Sequence, residues 1–390
     1  MSKIQCLYNK LEKSYLLSFT SKSINFESTF KITCPDNFIY KPVTIYDGFL
    51  FGIIFKAMEC GENLEIDFPI SKQGFQNVNY YIEAWHNLLP DTYKKIKIIA
   101  SNIVDGTNTK THPAESISAF SGGVDACFTL IRHNEKDWGE NFDYNLKNVL
   151  CVQGFDVPIN KNKEYDLLMD RVSPIYEQYN CRQFKVWTDL KLASKQDWEM
   201  SHSAQIACCL HLFSEHFAQA LIGSSEPYND FFLPWGSTPS TDFLLSGTNL
   251  EIIHDGAGFT RTEKAERISK NNIAVDRMKV CWEKGFEDNC GECEKCYRTR
   301  LNFLAVGLTN PKCFNTPITL NKIKFLRLNS LGKVYQFQSI VDYAHKNKIT
   351  GNWLFSMKLA IFMGKYFHLT KKNLNKHRKK IKKYLKNLIK

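Results

Sequence analysis

Ser121-Gly122-Gly123-Val124-Asp125 stands between two segments of different character. Ile117–Phe120 before it predicts a short strand, and Ala126–Arg132 after it predicts the start of a helix. Two glycines let the backbone come close to an anion, and the first amide groups of a helix are free to bind one. The stretch therefore predicts an anion-binding loop at the end of a strand.

This loop differs from the two common phosphate-binding patterns. It has neither the Gly-x-x-x-x-Gly-Lys pattern of P-loop proteins nor the Gly-x-Gly-x-x-Gly pattern of dinucleotide-binding proteins. Ser121 supplies a hydroxyl donor, and Asp125 is suited either to hold a magnesium ion or to fix the loop.

The chain after the loop alternates between strand and helix patterns. Asn148–Gly154, Gln183–Thr188 and Ala220–Gly223 read as strands, and Tyr165–Tyr179 and His202–Phe217 read as helices. Such alternation predicts an α/β fold, with a parallel sheet covered by helices on both faces. Ligands of open α/β sheets bind outside the carboxyl ends of the strands, where the loop would lie.

We expect four segments along the chain. Residues 1–103 form a strand-rich α+β accessory domain, 104–115 a polar linker, 116–311 the domain that carries the glycine loop, and 312–390 a helical segment with a basic tail. Within the first segment, Val43–Phe55 is rich in β-branched and aromatic residues and predicts a strand. The apolar residues of 75–89 follow helical spacing.

A group of four cysteines predicts a metal site. Cys281 is followed by Cys290, Cys293 and Cys296, the last three at steps of three with Gly291 between them. Four thiolates at this spacing favour a closed, tetrahedral, structural zinc site. An iron–sulfur cluster is the alternative, because ferredoxins use a similar spacing.

Together, the loop and the cysteines resemble one family. The Ser-Gly-Gly-x-Asp loop resembles that of the PP-loop ATP pyrophosphatases, which belong to the adenine nucleotide alpha-hydrolase superfamily. The added Cys-x₈-Cys-Gly-x-Cys-x-x-Cys, followed by Arg298 and Arg300, resembles the 7-cyano-7-deazaguanine synthases over about residues 116–305. The family's loop ends in serine where this chain has Ala126, and its Asp-Cys-Arg-Pro substrate segment is not found here.

The resemblance implies an activity and a set of site residues. The family adenylylates 7-carboxy-7-deazaguanine with ATP, lets ammonia form the amide, and activates the amide again to give the nitrile. By resemblance, the nucleotide-site residues are Ser121, Gly122, Gly123, Val124 and Asp125. The four cysteines of the cluster carry over as zinc ligands.

Further residues are candidates for the cleft. Thr260 and Glu263 have capping-box spacing at the start of a helix. Lys264 or Arg261 then lies where it would stabilise departing pyrophosphate, and we take Lys264 with Asp125 as catalytic, although a solvated lysine is an open alternative. His202 either contacts a ligand or caps and packs its helix.

The long segment between Tyr228 and Ser246 is a candidate substrate loop. Its aromatic residues, Phe231, Phe232 and Trp235, are suited either to stack on a planar ring or to pack locally.

Charge and hydropathy indicate the localisation of the protein and the partners of its C-terminal tail. The net charge is +11, but residues 371–390 contain ten lysines and arginines and no acid, so the rest carries about +1. This basic, amphipathic tail suits a membrane surface, a nucleic acid or an acidic partner, or is simply solvated. We find no signal peptide or membrane span and expect a cytoplasmic protein. A homodimer is one candidate assembly.

The sequence therefore predicts an AMP-forming ligase that uses ATP, Mg²⁺ and Zn²⁺. The substrate would be a small-molecule carboxylate, with that of a 7-deazaguanine as one candidate, joined to ammonia or an amine. A protein or nucleic-acid acceptor is a further candidate, for example a protein amine in an antiviral defence system. Two alternatives stay open: a tRNA-thiolating PP-loop enzyme and a degenerate nucleotide-binding partner subunit without catalysis.

Overall fold

A computed structural model describes residues 1–105, 115–139, 141–229, 233–281 and 288–367. Most of the predicted linker and all of the basic tail therefore lie outside the described residues. Within the described part, no helix is both long enough and apolar enough to cross a membrane.

The strands are β1 (Ser2–Asn9), β2 (Ser14–Thr20), β3 (Asn25–Thr33), β4 (Leu64–Ile66), β5 (Ile70–Ser71), β6 (Ile98–Ala100), β7 (Ile103–Val104), β8 (Ser116–Ala119), β9 (Leu146–Gln153), β10 (Arg182–Thr188), β11 (Gln219–Gly223) and β12 (Glu251–Asp255).

The helices are α1 (Asp47–Cys60), α2 (Lys72–Leu88), α3 (Val124–Asn134), α4 (Asn162–Glu177), α5 (Leu190–Ser194), α6 (Trp198–His211), α7 (Arg261–Ser269), α8 (Asn272–Arg277), α9 (Glu294–Ala305), α10 (Leu320–Ile323) and α11 (Leu331–Lys346). A 3-10 helix spans Asp242–Leu245, and residues 352–367 form a further helix up to the end of the described part.

Ten strands form one large, mostly parallel sheet in the order β12-β11-β8-β9-β10-β3-β2-β1-β4-β6. The pairs from β12 to β10 are parallel, β3 and β2 pair antiparallel with their neighbours, and the pairs from β1 to β6 are parallel again. The α/β class predicted from the sequence is confirmed, and the sheet is compatible with a Rossmann-like fold.

Helices cover both faces of the parallel half of the sheet. Successive residues of a strand point to opposite faces, and those of β9 enter two separate cores. Leu150 packs with α1 and α6, whereas Val149 and Cys151 pack with residues of α3 and α4. The strand is buried on both sides, which explains its continuous apolar sequence.

The sheet also crosses the boundary predicted near residue 103. The antiparallel pairing of β3 with β10 joins the first segment to the segment that carries the glycine loop, with Thr33 opposite Lys185. Tyr15 and Phe30 of the first segment are fully buried in the same core as Leu150. The two predicted segments therefore share one sheet and one core.

The strand predicted at Val43–Phe55 is wrong, because α1 occupies most of it. Every residue of α1 from Asp47 to Met58 is buried. A helix enclosed on all sides has no polar face, so its sequence lacks the periodicity that marks an amphipathic helix. Composition then favoured a strand.

The described part of the C-terminal segment is helical. Buried residues of α9, α11 and the 352–367 helix form a third core, which includes Leu301, Phe337 and Met357.

Candidate functional site

A pocket of about 320 Å³ lies at the carboxyl ends of β8, β9 and β11. This is the edge at which an open α/β sheet binds its ligands. Residues of the glycine loop, including Ser121 and Asp125, form one wall, and residues of α4 and α6 form the other. The sequence analysis predicted this location from the order of strands and helices.

The geometry of the glycine loop requires its first glycine. Gly122 has φ of +75°, and a Cβ there would lie 2.5 Å from Cγ1 of Val172. Its carbonyl accepts a hydrogen bond from Lys279 N–H across 2.9 Å. Gly123 is the N-cap of α3. The loop therefore leads directly into the amino end of α3, whose first amides have no partner within the helix.

The loop residues do not contribute equally to the pocket. Ser121, Asp125 and Ala126 line it. Val124 is 1% exposed and its side chain packs into the core, so only its backbone is near the site. Ala126 offers no hydroxyl to the pocket at the position where the resembling family has serine.

Asp125 brings two cations to the loop. Oδ2 accepts a hydrogen bond from Arg261 Nη1 across 2.8 Å, and Oδ1 lies 3.2 Å from Lys264 Nζ. Burial alone would raise the pKa of Asp125, but the charges of Arg261 and Lys264 outweigh burial and hold this pKa below its usual value. Asp125 is therefore an anion at neutral pH.

Lys264, predicted as catalytic, lies behind Asp125 and does not line the pocket. It is 1% exposed and donates a hydrogen bond to the carbonyl of Ser224. Burial lowers its pKa, an effect that Asp125 opposes. The predicted capping box between Thr260 and Glu263 is present and fixes the start of α7, from which both cations extend.

A glycine also allows β11 to approach the loop. A Cβ on Gly223 would lie 2.8 Å from the backbone oxygen of Asp125. The end of β11 and the amino end of α3 are thus in direct contact.

The opposite wall contains Trp198 and His202, four residues apart on α6. His202 Nδ1 is 3.2 Å and 3.1 Å from the carbonyl oxygens of Trp198 and Glu199, which can only accept, so Nδ1 carries the proton. Burial lowers the pKa of His202, an effect that Asp242 opposes. The ring is therefore neutral at pH 7, with Nε2 as an acceptor. The sequence analysis named His202 but missed Trp198, although their helical spacing would have linked them.

The candidate substrate loop is largely bonded to itself. Ser237 Oγ donates to Asp242 Oδ2 across 2.6 Å, and His254 Nδ1 lies 2.8 Å from the same oxygen. Ser237 lines the pocket, whereas Trp235 does not: its ring lies 5.5 Å from that of His202, and its Nε1 donates to Ser225. The predicted stacking residues Phe231 and Phe232 lie outside the described residues.

A small polar cavity of about 20 Å³ lies beyond Ser225, next to Arg261. Glu226 accepts a hydrogen bond from Gln336 across 2.5 Å there, and Arg298 donates to the same amide. Burial raises the pKa of Glu226, an effect that Gln336 and Arg298 oppose. A cavity of this size holds about one water molecule, so it is no second ligand pocket.

The four cysteines predicted as ligands meet in one place. The Sγ atoms of Cys281, Cys290, Cys293 and Cys296 all lie within 4.8 Å of one another. Four sulfurs at roughly 2.3 Å from one ion would stand about 3.8 Å apart, and those of Cys290 and Cys296 are 3.7 Å apart. This group could hold a metal ion such as zinc.

Backbone amides support the sulfurs. The N–H groups of Cys290, Cys293 and Cys296 point at the preceding sulfurs, at 3.2, 3.3 and 3.4 Å respectively. Donors of this kind stabilise thiolates. The same segment carries Lys295, which lines the pocket and which the sequence analysis missed.

No protein-family model matches the chain, and no curated protein is significantly similar to it.

Proposed function

We propose that the protein uses ATP to adenylylate a carboxylate and releases pyrophosphate. The observation that carries the proposal is the contact of Asp125 with Arg261 and Lys264, behind a glycine loop at the edge of the sheet. A triphosphate bound at the amino end of α3 would contact free backbone amides of that helix. Arg261 and Lys264 would lie behind those amides, next to Asp125.

The proposed reaction requires no nucleophilic protein side chain. An oxygen of the substrate carboxylate attacks the α-phosphorus, the bond from that phosphorus to the bridging oxygen breaks, and pyrophosphate leaves with its electron pair. The negative charge that develops on pyrophosphate would be stabilised by the amino end of α3, while Arg261 and Lys264 hold Asp125 at the pocket wall. The rate gain comes from positioning the two reactants and neutralising charge.

Asp125 fits the role of a magnesium ligand. Magnesium is commonly bound by one or two carboxylates together with substrate phosphates. Each Asp125 oxygen accepts from one cation and keeps a free lone pair, and Asp125 is 20% exposed at the pocket wall. Magnesium would supply charge neutralisation on the phosphates.

Zinc would have a structural role in this proposal. Four cysteine sulfurs would complete the tetrahedral coordination of a zinc ion and leave no open position for a substrate. The ion would hold the segment that carries Lys295 against the pocket.

The substrate class follows from the motif resemblance and the shape of the pocket. A planar 7-deazaguanine carboxylate would fit between the apolar residues of α4 and the Trp198 and His202 wall. Ammonia or an amine would then displace AMP. A protein amine in a defence system is our preferred larger acceptor; thiolation of tRNA and a non-catalytic partner role are the competing functions.

The test is the identity of the ATP products. Purified protein with ATP, magnesium and 7-carboxy-7-deazaguanine should form AMP and pyrophosphate. Asp125→Ala and Ser121→Ala should each reduce the rate, whereas Asp91→Ala, in an exposed turn after α2, should not. ADP and phosphate as products would contradict the proposal, and no turnover under any condition would favour the partner subunit.

A further inference from the structure

We propose that Lys295 binds the carboxylate of the substrate at the mouth of the pocket. The inference rests on the proposed function, because it concerns the anion that would be adenylylated. It assigns a substrate-binding role to a residue inside the four-cysteine segment.

The reaction has an electrostatic problem that a cation must solve. A carboxylate has to approach a phosphate, and two unit charges 4 Å apart repel by about 4 kcal/mol at the effective dielectric of a protein surface. The segment between Tyr228 and Ser246 contains no lysine or arginine to offset this repulsion. The cation must therefore come from elsewhere.

The other cations near the pocket are engaged. Arg261 and Lys264 both contact Asp125, and Lys264 is fully enclosed. Lys191 Nζ donates to the carbonyl of Phe155 across 2.8 Å and lies 4.1 Å from the ring centroid of Trp198. These three are held by groups of the protein itself.

Lys295 differs from Arg261, Lys264 and Lys191 in its position and in the contacts of its ammonium group. Among the described residues that line the pocket, it is the one lysine or arginine. Its ammonium has no ion pair or hydrogen bond within the described part of the chain, and the residue is exposed. An arriving anion would therefore meet an uncommitted positive charge.

The backbone under Lys295 is rigid. The residue lies in the first turn of α9, whose N-cap Cys293 accepts a hydrogen bond from Cys296 N–H. Both flanking cysteines belong to the four-sulfur group. A binding residue on a fixed element loses less freedom when it binds, and the amino end of a helix adds favourable charge for an anion.

Asp156 also lines the pocket and would repel a misplaced carboxylate. Its charge acts on Lys191 and His202, and it forms no ion pair with Lys295 among the described residues. Asp156 and Lys295 act on Lys191 in opposite directions, so a carboxylate would be attracted by the Lys295 ammonium and repelled by the Asp156 carboxylate.

The experiment compares two ligands and three variants by calorimetry without ATP. The ligands are 7-carboxy-7-deazaguanine, which carries the carboxylate, and 7-cyano-7-deazaguanine, which does not. Lys295→Met should weaken binding of the acid about tenfold or more, as expected for a lost charge-assisted bond, and leave the nitrile within about twofold. Lys295→Arg should restore most of the affinity.

The control is Lys322→Met, which removes a positive charge beside the same segment, where Lys322 pairs with Glu292 outside the pocket. It should bind both ligands like the wild type. Metal content should be equal in all variants, so that a lost ion is not mistaken for a lost contact.

The inference is overturned if Lys295→Met weakens the binding of both ligands equally or changes the binding of neither. It is also overturned if the wild type binds neither ligand. Its failure is distinct from failure of the proposed function. If the wild type binds the acid through Lys295 but forms no AMP, the adenylylation proposal fails and the assignment of Lys295 stands.

Discussion

Lys264 Nζ lies 3.2 Å from Asp125 Oδ1, although 139 residues separate them in the chain. The ammonium is buried, and it contacts the Asp125 carboxylate and lies 5.7 Å from the ring centroid of Phe128. The pair joins the amino ends of α3 and α7 at the edge of the pocket. It therefore contributes to stability as well as to the proposed chemistry.

A double-mutant cycle should show this coupling. Asp125→Asn should cost about 3 kcal/mol of unfolding free energy, because it leaves the buried Lys264 charge without its counter-charge. Lys264→Met should cost less, since methionine fills the space and Arg261 still neutralises Asp125. The double variant should lose less unfolding free energy than the sum of the two single losses, by about 1 kcal/mol or more, as measured by urea unfolding. Additive losses would contradict a direct interaction.

Part of this site could be predicted because its signals are local. The strand, glycine loop and helix around Ser121 follow one another directly, as do Thr260 and Glu263 of the capping box. Three of the four cysteines lie within seven residues, so their spacing alone restricts the site they can form.

The remainder depends on contacts that no short segment encodes. The antiparallel pairing of β3 with β10 joins segments about 150 residues apart, and nothing in either strand specifies the partner. Trp198 reaches the pocket only because α6 packs on α1. The helix α1 itself was missed because enclosure removes the polar face that would have revealed its period.

The nucleotide site can be tested at Ala126 by restoring the serine that the resembling family has there. It lines the pocket in the first turn of α3, where the resembling family has a serine hydroxyl. Ala126→Ser should lower the KM for ATP about tenfold or more, since a hydrogen bond to a charged group is worth about 1.5–3 kcal/mol. Steady-state measurement of AMP formation would detect it. A higher KM for ATP would show that the loop no longer binds phosphate as the family's loop does.

The metal can be tested with a matched pair of cysteine variants. Cys293→Ser should release the ion and unfold the adjacent segment, because structural zinc contributes directly to folding. Cys313→Ser is the control: Cys313 is buried in the same core as Cys281 and Cys296 but is not one of the four ligands. Elemental analysis should find about one zinc per chain in the wild type and the control. Iron with acid-labile sulfide would contradict the assignment of zinc.

Asp47 should give the fold an unusual dependence on pH. Burial raises its pKa to about 6, although Ser71 donates from its backbone and hydroxyl at 2.8 and 2.6 Å. An acid whose folded pKa is raised contributes stability below its ordinary pKa and loses it as pH rises through the folded value. Wild-type stability relative to Asp47→Asn should therefore fall between pH 4 and pH 7.

The size of that fall should be up to about 3 kcal/mol, from the difference between the folded pKa and the ordinary one. Urea unfolding of both proteins at pH 4, 5, 6 and 7 would measure it. Asp125 and Asp255, whose pKa values are lowered by neighbouring cations, act in the opposite direction, but they cancel in the difference between the two proteins. A difference that is independent of pH would contradict the prediction.

The last prediction concerns the acceptor. The segment from Tyr228 to Ser246 has no arginine, and the Ser237 hydroxyl, which lines the pocket, is already bonded to Asp242. A site built for one substrate rejects others strongly when its polar groups lose their partners. A changed loop beside an intact glycine loop therefore favours adenylylation of the acid followed by transfer to an acceptor other than ammonia.

We expect the purified protein to make little 7-cyano-7-deazaguanine from 7-carboxy-7-deazaguanine, ATP, magnesium and ammonia. The acid should still support AMP formation, because Ser121, Asp125 and Lys295 all belong to the same pocket. Mass spectrometry of the small-molecule products and of co-purifying macromolecules would separate the two steps. A protein or nucleic acid whose mass increases by the mass of the acyl group of the acid would be identified as the acceptor. Efficient nitrile formation by this chain alone would contradict the prediction and make ammonia the natural acceptor.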